Sequence, residues 1–118
     1  EKAYVCCGFG VVVVNLSRME VSDTYFLGDN SSYLNINDLT IADGKIFVAT
    51  DEGVFYADAA CQQLADFSQW RRDMLINNPF GRFSQIEFFE GKVLANFSLD
   101  VNGFDTIYAF SDLILLYI

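Results

Sequence analysis

The chain has 118 residues, 53% of them hydrophobic and 16% aromatic, which is ample for one packed domain and incompatible with a disordered segment. Sixteen acidic against seven basic residues give a net charge of −9, which repels phosphate backbones and anionic membrane surfaces and sets nucleic acid aside as a partner. Without a histidine the chain has no Ser-His-Asp or Cys-His arrangement of its own, no histidine zinc ligand and no histidine pH switch. The longest apolar runs, 11–14 and 113–118, fall far short of the ~20 residues that cross a bilayer. No charged stretch followed by an apolar one opens the sequence, so neither a membrane span nor a signal peptide is expected, a pattern still compatible with export.

In chain order, short runs rich in Val, Ile, Phe and Tyr alternate with turn clusters at intervals of about ten residues, the spacing of an all-β sandwich, barrel or propeller. The expected strands are 3–7, 10–15, 23–27, 36–42, 45–50, 53–58, 83–89, 92–98 and 106–111. Asp43-Gly44, Glu52-Gly53 and Glu90-Gly91 stand where hairpins need a residue at positive φ. Residues 59–70 carry a weak helical spacing in Leu64, Phe67 and Trp70 and read as an excursion between strands, containing at most a short helical turn. Asn77-Asn78-Pro79-Phe80-Gly81 is a turn.

The chain repeats itself. An offset of 43 lays Lys2 on Lys45, Tyr4 on Phe47, Cys6 on Ala49 and Gly10 on Gly53; an offset of 47 lays Lys45 on Lys92, Leu39 on Ile86 and Ile41 on Phe88. Runs such as Val11-Val12-Val13-Val14 and Ile46-Phe47-Val48-Ala49 are apolar at consecutive positions, so both faces of their sheets should be covered. Stacked propeller blades provide that cover, and units of this length fit one blade each. The expectation is a single domain, 1–118, forming a partial β-propeller of two to three blades, each an antiparallel four-stranded sheet, with repeats at 1–43, 44–90 and an incomplete 91–118. Uncovered edges and faces of such an array should favour oligomerisation.

Three stretches carry a resemblance: YVCCGFGVVVVNL, DTYFLGDNSSYLNINDLTI and KIFVATDEGVFYADA. They are similar to the N-terminal propeller of PorZ-type proteins of Bacteroidetes, over roughly residues 3–110 and most specifically over 23–58. The family is related to the two-component-regulator propellers, whose "strand, T-x-x-G, strand" signature is met here by Thr50-Asp51-Glu52-Gly53-Val54. The resemblance implies a non-enzymatic component of type IX secretion, exported to the periplasm or outer-membrane surface, that acts with other secretion proteins in attaching cargo to surface lipopolysaccharide. Protein components of such a complex are the expected partners, with glycan or lipopolysaccharide as a further class. Complete members carry two propellers and a further β-domain, and no functional residue of the family maps onto these positions. The alternative is a periplasmic glycan-sensing propeller of a two-component regulator.

Candidate sites are few. The segment from Asp29 to Asp38 is rich in oxygen ligands but lacks the D-x-[DN]-x-[DN]-G order and closing glutamate of a calcium loop, and Asx turns account for it; no metal and no cofactor are expected. The segment joins the outer strand of one blade to the inner strand of the next, so Tyr33, Asn35 and Asn37 are candidate contacts at the propeller rim or channel. Trp70 with Arg71 and Arg72 combines residue types enriched at binding hot spots, against the plainer reading of a packed tryptophan beside solvated arginines. Cys6, Cys7 and Cys61 are odd in number and form no C-x-x-C pair; they read as small buried side chains, with a Cys61 disulfide as the alternative and a reactive thiol after it. No catalytic constellation is present in the pattern, and an enzyme is not expected.

Overall fold

The computed structural model describes residues 1–98, 105–111 and 114–117. Over them run strands β1 (Lys2–Cys6), β2 (Val11–Asn15), β3 (Glu20–Tyr25), β4 (Ile36–Ala42), β5 (Lys45–Thr50), β6 (Gly53–Asp58), β7 (Arg71–Arg72), β8 (Phe83–Phe89), β9 (Lys92–Ser98), β10 (Asp105–Ser111) and β11 (Ile114–Tyr117). Single 3-10 turns lie at Asp29–Ser31 and Phe67–Gln69, the latter in the expected excursion and capped by the Asp66 carboxylate, which accepts from Ser68 N–H. The strands form three antiparallel meanders in the orders β1-β2-β3, β4-β5-β6-β7 and β8-β9-β10-β11. β7 and β11 are additional to the strands expected from sequence.

Turn chemistry fixes the registers. Asp43 and Gly44 have φ of 51° and 76°, and Glu90 and Gly91 have 50° and 77°, so each pair forms a two-residue tip with both residues at positive φ, the twist that suits a right-handed hairpin. Ala42 then faces Lys45, and Phe89 faces Lys92. At the β5–β6 tip Gly53 has φ 124°, and a Cβ there would lie 2.3 Å from the Pro79 carbonyl oxygen, so no other residue fits.

The sheets do not divide where the repeat units 1–43, 44–90 and 91–118 place them. The boundaries 43/44 and 90/91 fall at the tips of the β4–β5 and β8–β9 hairpins, inside the second and third sheets. Sequence similarity is strongest around the hairpin tips, whereas a sheet is bounded by the longer connections 26–35 and 73–82. The first sheet also has three strands rather than four among the described residues.

Two apolar layers hold the sheets together. Ile46 and Val48 face the first sheet and pack with Val11, Val13 and Tyr25; Phe47 and Ala49, the alternate residues of the same strand, face the third and pack with Ile86, Val93 and Phe110. This is why β5 has no polar face: its sheet is sandwiched, and each fully buried Val, Ile or Phe contributes roughly 1.5–3 kcal/mol. β4 lies along β8 and touches β1, so the leading strands of the sheets meet at one side of the stack.

Candidate interaction surface

One end of the stack gathers the β1–β2 turn, the 26–35 connection, the β5–β6 tip and the 73–82 connection. Asn35 and Asn37 converge there on the tip. Asn35 Nδ2 donates to Asp51 Oδ2 at 3.1 Å and to Asn37 Oδ1 at 3.0 Å, while Asn37 Nδ2 donates to Asp51 Oδ1 at 2.9 Å and to the Phe83 carbonyl at 2.9 Å. Arg82 completes the cluster, its Nε 3.2 Å from Asp51 Oδ1. The Asn37 amide above all, with Asn35 and Arg82 adding, holds the Asp51 carboxyl below its ordinary range. These bonds lock the second sheet to the first residue of β8, so Asn35 and Asn37 spend their donors within the protein and frame the surface instead of presenting it.

Tyr33 does present itself. It is 76% exposed and stacks on Phe26 at 5.7 Å and 18°, with Phe9 tilted against both at 5.9 and 6.1 Å. Phe9 owes its place to Gly8-Phe9-Gly10, where a large apolar residue occupies a hairpin tip with no core beneath it. Tyr33 also borders a cavity of about 100 Å³ shared with Gly28, Asp29, Glu52, Phe55 and Arg72. Arg72 closes the far side: its Nε donates to the Glu52 carbonyl at 3.0 Å and its guanidinium lies 4.7 Å over Phe55 and 4.3 Å over the exposed Phe80 ring.

The Trp70–Arg71 pair is split. Trp70 is 6% exposed, its Nε1 donates to the Leu64 carbonyl at 2.8 Å, and its ring lies 6.0 Å from that of Tyr25, so it belongs to the core and is lost as a surface contact. The physical reason is local: the 3-10 turn rotates residue 70 inward just before β7 begins. Arg71 is exposed and lines a separate cavity of about 250 Å³ with Lys45, Tyr56, Asp58 and Gln69, away from Tyr33. Sequence reasoning picked out Arg72 beside Trp70 and Arg71 but missed Phe9, Phe26, Asp51 and Arg82 as parts of this surface; of these only Phe9, an aromatic between two glycines, carried a legible signal.

A larger cavity, about 300 Å³, opens on the outer face of the third sheet beside Gln85, Glu87, Leu94, Asn96 and Ile107. Asp38 of β4 also lines it, and its Leu94 and Asn96 correspond through the 47-residue offset to Phe47 and Ala49, which face the third sheet. The three thiols are free and half-buried, and burial, then Asp38 and Cys7, raises the Cys6 thiol, the reverse of what a nucleophile requires. Among the described residues no group of three or more Cys, Asp or Glu is placed to hold a metal ion, and no helix is long and apolar enough to cross a membrane.

Three antiparallel sheets stacked face to face, with leading strands gathered at one side, define a β-propeller of few blades. The family model described as the TSS9, PorZ, N-terminal β-propeller domain matches residues 1–71, and the chain belongs to that family, which is named for the type IX secretion system. No curated protein matches the chain.

Proposed function

We propose that the chain is a non-enzymatic scaffold and binding module of an exported type IX secretion assembly at the periplasmic or outer-membrane surface, serving the attachment of secreted cargo. The observation that supports this reading is the ring cluster in which exposed Phe9 and Tyr33 pack on half-buried Phe26, mounted on the bonded frame of Asn35, Asn37, Asp51 and Arg82. Solvent-facing aromatics held rigid lose little side-chain entropy on docking, which suits them to be anchors in a protein interface.

Co-purification with envelope extract tests the reading. The chain is expected to recover type IX secretion components, and Tyr33→Ala with Phe9→Ala is expected to lose them while the melting temperature changes little. Recovery unchanged by the double substitution, or no recovery of secretion components at all, contradicts the proposal. The same rings would also suit sugar faces, as in a periplasmic glycan sensor. Saturable binding of a purified surface glycan without protein partners would favour that alternative.

A further inference from the structure

The repeat keeps its register from sheet to sheet: the 43-residue offset carries the pair Tyr4 and Val13 onto Phe47 and Tyr56, and the 47-residue offset carries Thr40 and Phe47 onto Glu87 and Leu94. Matching faces of the second and third sheets therefore compare position by position. On the second sheet, the face toward the third carries Thr40, Phe47, Ala49, Val54 and Tyr56, and its apolar members pack into the shared core. On the third sheet the same positions hold Glu87, Leu94, Asn96, Ile107 and Ala109. Two rings give way to smaller side chains, which leaves room for the cavity of about 300 Å³. A hydroxyl and a methyl give way to a carboxylate and an amide, which makes its wall polar. About 300 Å³ is the small end of the roughly 300–1,000 Å³ range of ligand sites, a size that suits a short aliphatic chain.

Asn96 is the buried polar group of that wall, 9% exposed. Its Nδ2 donates to Ser84 Oγ and to Asp105 Oδ2, both at 3.0 Å, and because a carboxylate only accepts, the Asp105 contact fixes which end of the amide is nitrogen. Neither Ser84 nor Asp105 lines the cavity, so Oδ1 is the polar atom that Asn96 has for it, and Oδ1 is without a partner. A buried acceptor with no donor is destabilising, so this position calls for one.

The rest of the polar lining is of the same kind. Glu87 uses only Oε1, for the N–H of the adjacent Phe88 at 3.3 Å. Each oxygen of Asp38 accepts one N–H at 2.9 Å, from Leu39 and from Ile86, and keeps a lone pair to spare. Among the described residues neither carboxylate has an ion-pair partner, no Lys or Arg lines the cavity, and only the Gln85 amide brings side-chain N–H groups to it. Leu94 and Ile107, the latter 53% exposed, supply an apolar wall beside the acceptors.

We propose that this cavity binds a primary alkylammonium group, whose N–H donors are met by Asn96 Oδ1 and the carboxylates of Glu87 and Asp38 while its methylene stem lies along Leu94 and Ile107. The chemistry has two sources, the side chain of a lysine on a partner protein and a free aliphatic polyamine. The site shares no residue with the Phe9, Phe26 and Tyr33 cluster and stands independently of what docks there.

Two-dimensional NMR of the chain, titrated with putrescine and with Nα-acetyl-lysine amide, tests this. Saturable shifts are expected at the Asn96 side-chain amide and at the backbone amides of Glu87, Leu94 and Ile107, with Tyr33 unmoved. Glu87→Gln is expected to weaken binding about tenfold, as is Asn96→Ala, which installs the residue type of the corresponding Ala49. Glu87 is exposed, so its substitution carries the test should Asn96→Ala fail to fold. Tighter binding of the acetylated lysine assigns the site to a partner's side chain and tighter binding of putrescine to a free polyamine; either ranking supports the proposal. It is overturned if no saturable shift occurs at these residues, if a neutral butanediol binds equally well, or if either substitution, in a folded chain, leaves the affinity unchanged.

Discussion

The two junctions between sheets are built from the same repeat, yet they are held differently. Between the second and third sheets β4 lies along β8, Asp38 takes the Ile86 N–H, Asn37 reaches the Phe83 carbonyl, and Asp51 pairs with Arg82. Between the first and second, β4 meets the loop end of β1 through Ile36 N–H to the Cys7 carbonyl at 3.0 Å and Leu34 N–H to that of Phe9 at 3.4 Å. The remaining space is filled by Leu64 and Trp70 from the 59–70 excursion. Apolar alternation decides which faces stack; the leading strand decides how much polar bonding crosses the junction.

The largest effect should come from emptying the better-held junction. Phe83 is fully buried between Phe97 and Tyr108, and Phe83→Ala is expected to cost about 3–5 kcal/mol in urea unfolding. A loss under about 1 kcal/mol would mean that Phe83 is not packed into this core. At the other junction, Trp70→Phe removes the indole donor from the buried Leu64 carbonyl and should cost about 1–3 kcal/mol, read by circular dichroism because Trp70 is the only tryptophan. Asp38→Leu leaves the buried Ile86 N–H without its acceptor and should cost about 1–3 kcal/mol, with faster amide exchange at Ile86 as the specific sign.

Acid should separate two carboxylates of opposite sign. Asp51 is held below its ordinary pKa, so its contribution is present above the unfolded value and is lost as pH falls through the lower folded one. Asp51→Asn should therefore flatten the acid limb of the stability curve. Asp73 is 2% exposed with Oδ2 lacking a partner, and burial raises its pKa although the Leu75 and Ile76 amides bond to it. Its protonated form is favoured by folding, so its contribution is present below the unfolded value and lost as pH rises through the folded one. Asp73→Asn should stabilise the chain at neutral pH, and the gain should vanish in acid. The smallest effect belongs to Arg82→Ala, an exposed pair with Asp51 expected to contribute no more than about 1 kcal/mol and less in salt.

Much of the fold was legible because hairpin tips leave a chemical trace. Asp43-Gly44 and Glu90-Gly91 marked two turns, and strands β4, β5, β6, β8 and β9 begin and end where the sequence places them. The division into sheets was less legible, since a hairpin tip reads as a boundary although its two strands share a sheet. β7 escaped notice because two residues pair with β6 on a strand too short to show periodicity. At the candidate surface, Tyr33 was found from a polar connection, but its packing on Phe26 at the start of that connection and on Phe9 of the β1–β2 turn depends on how the two loops fold together. The polar frame was half legible: Asn35 and Asn37 stood out as amides in a turn, whereas their engagement by Asp51 and Arg82 depends on one sheet stacking on the next. Trp70 misled because residue type alone does not tell a buried indole from an exposed one.

The central claim is that β1 occupies the place of β5 and β9 but pairs with β2 alone among the described residues. Native-state amide exchange of the 118-residue chain, comparing Lys2, Tyr4 and Cys6 with Lys45, Phe47 and Ala49, tests it most directly. Slow exchange at the second set and fast exchange at the first is the predicted result. Equal protection of the two sets at low protein concentration would show that the edge of β1 is already paired and would contradict the account.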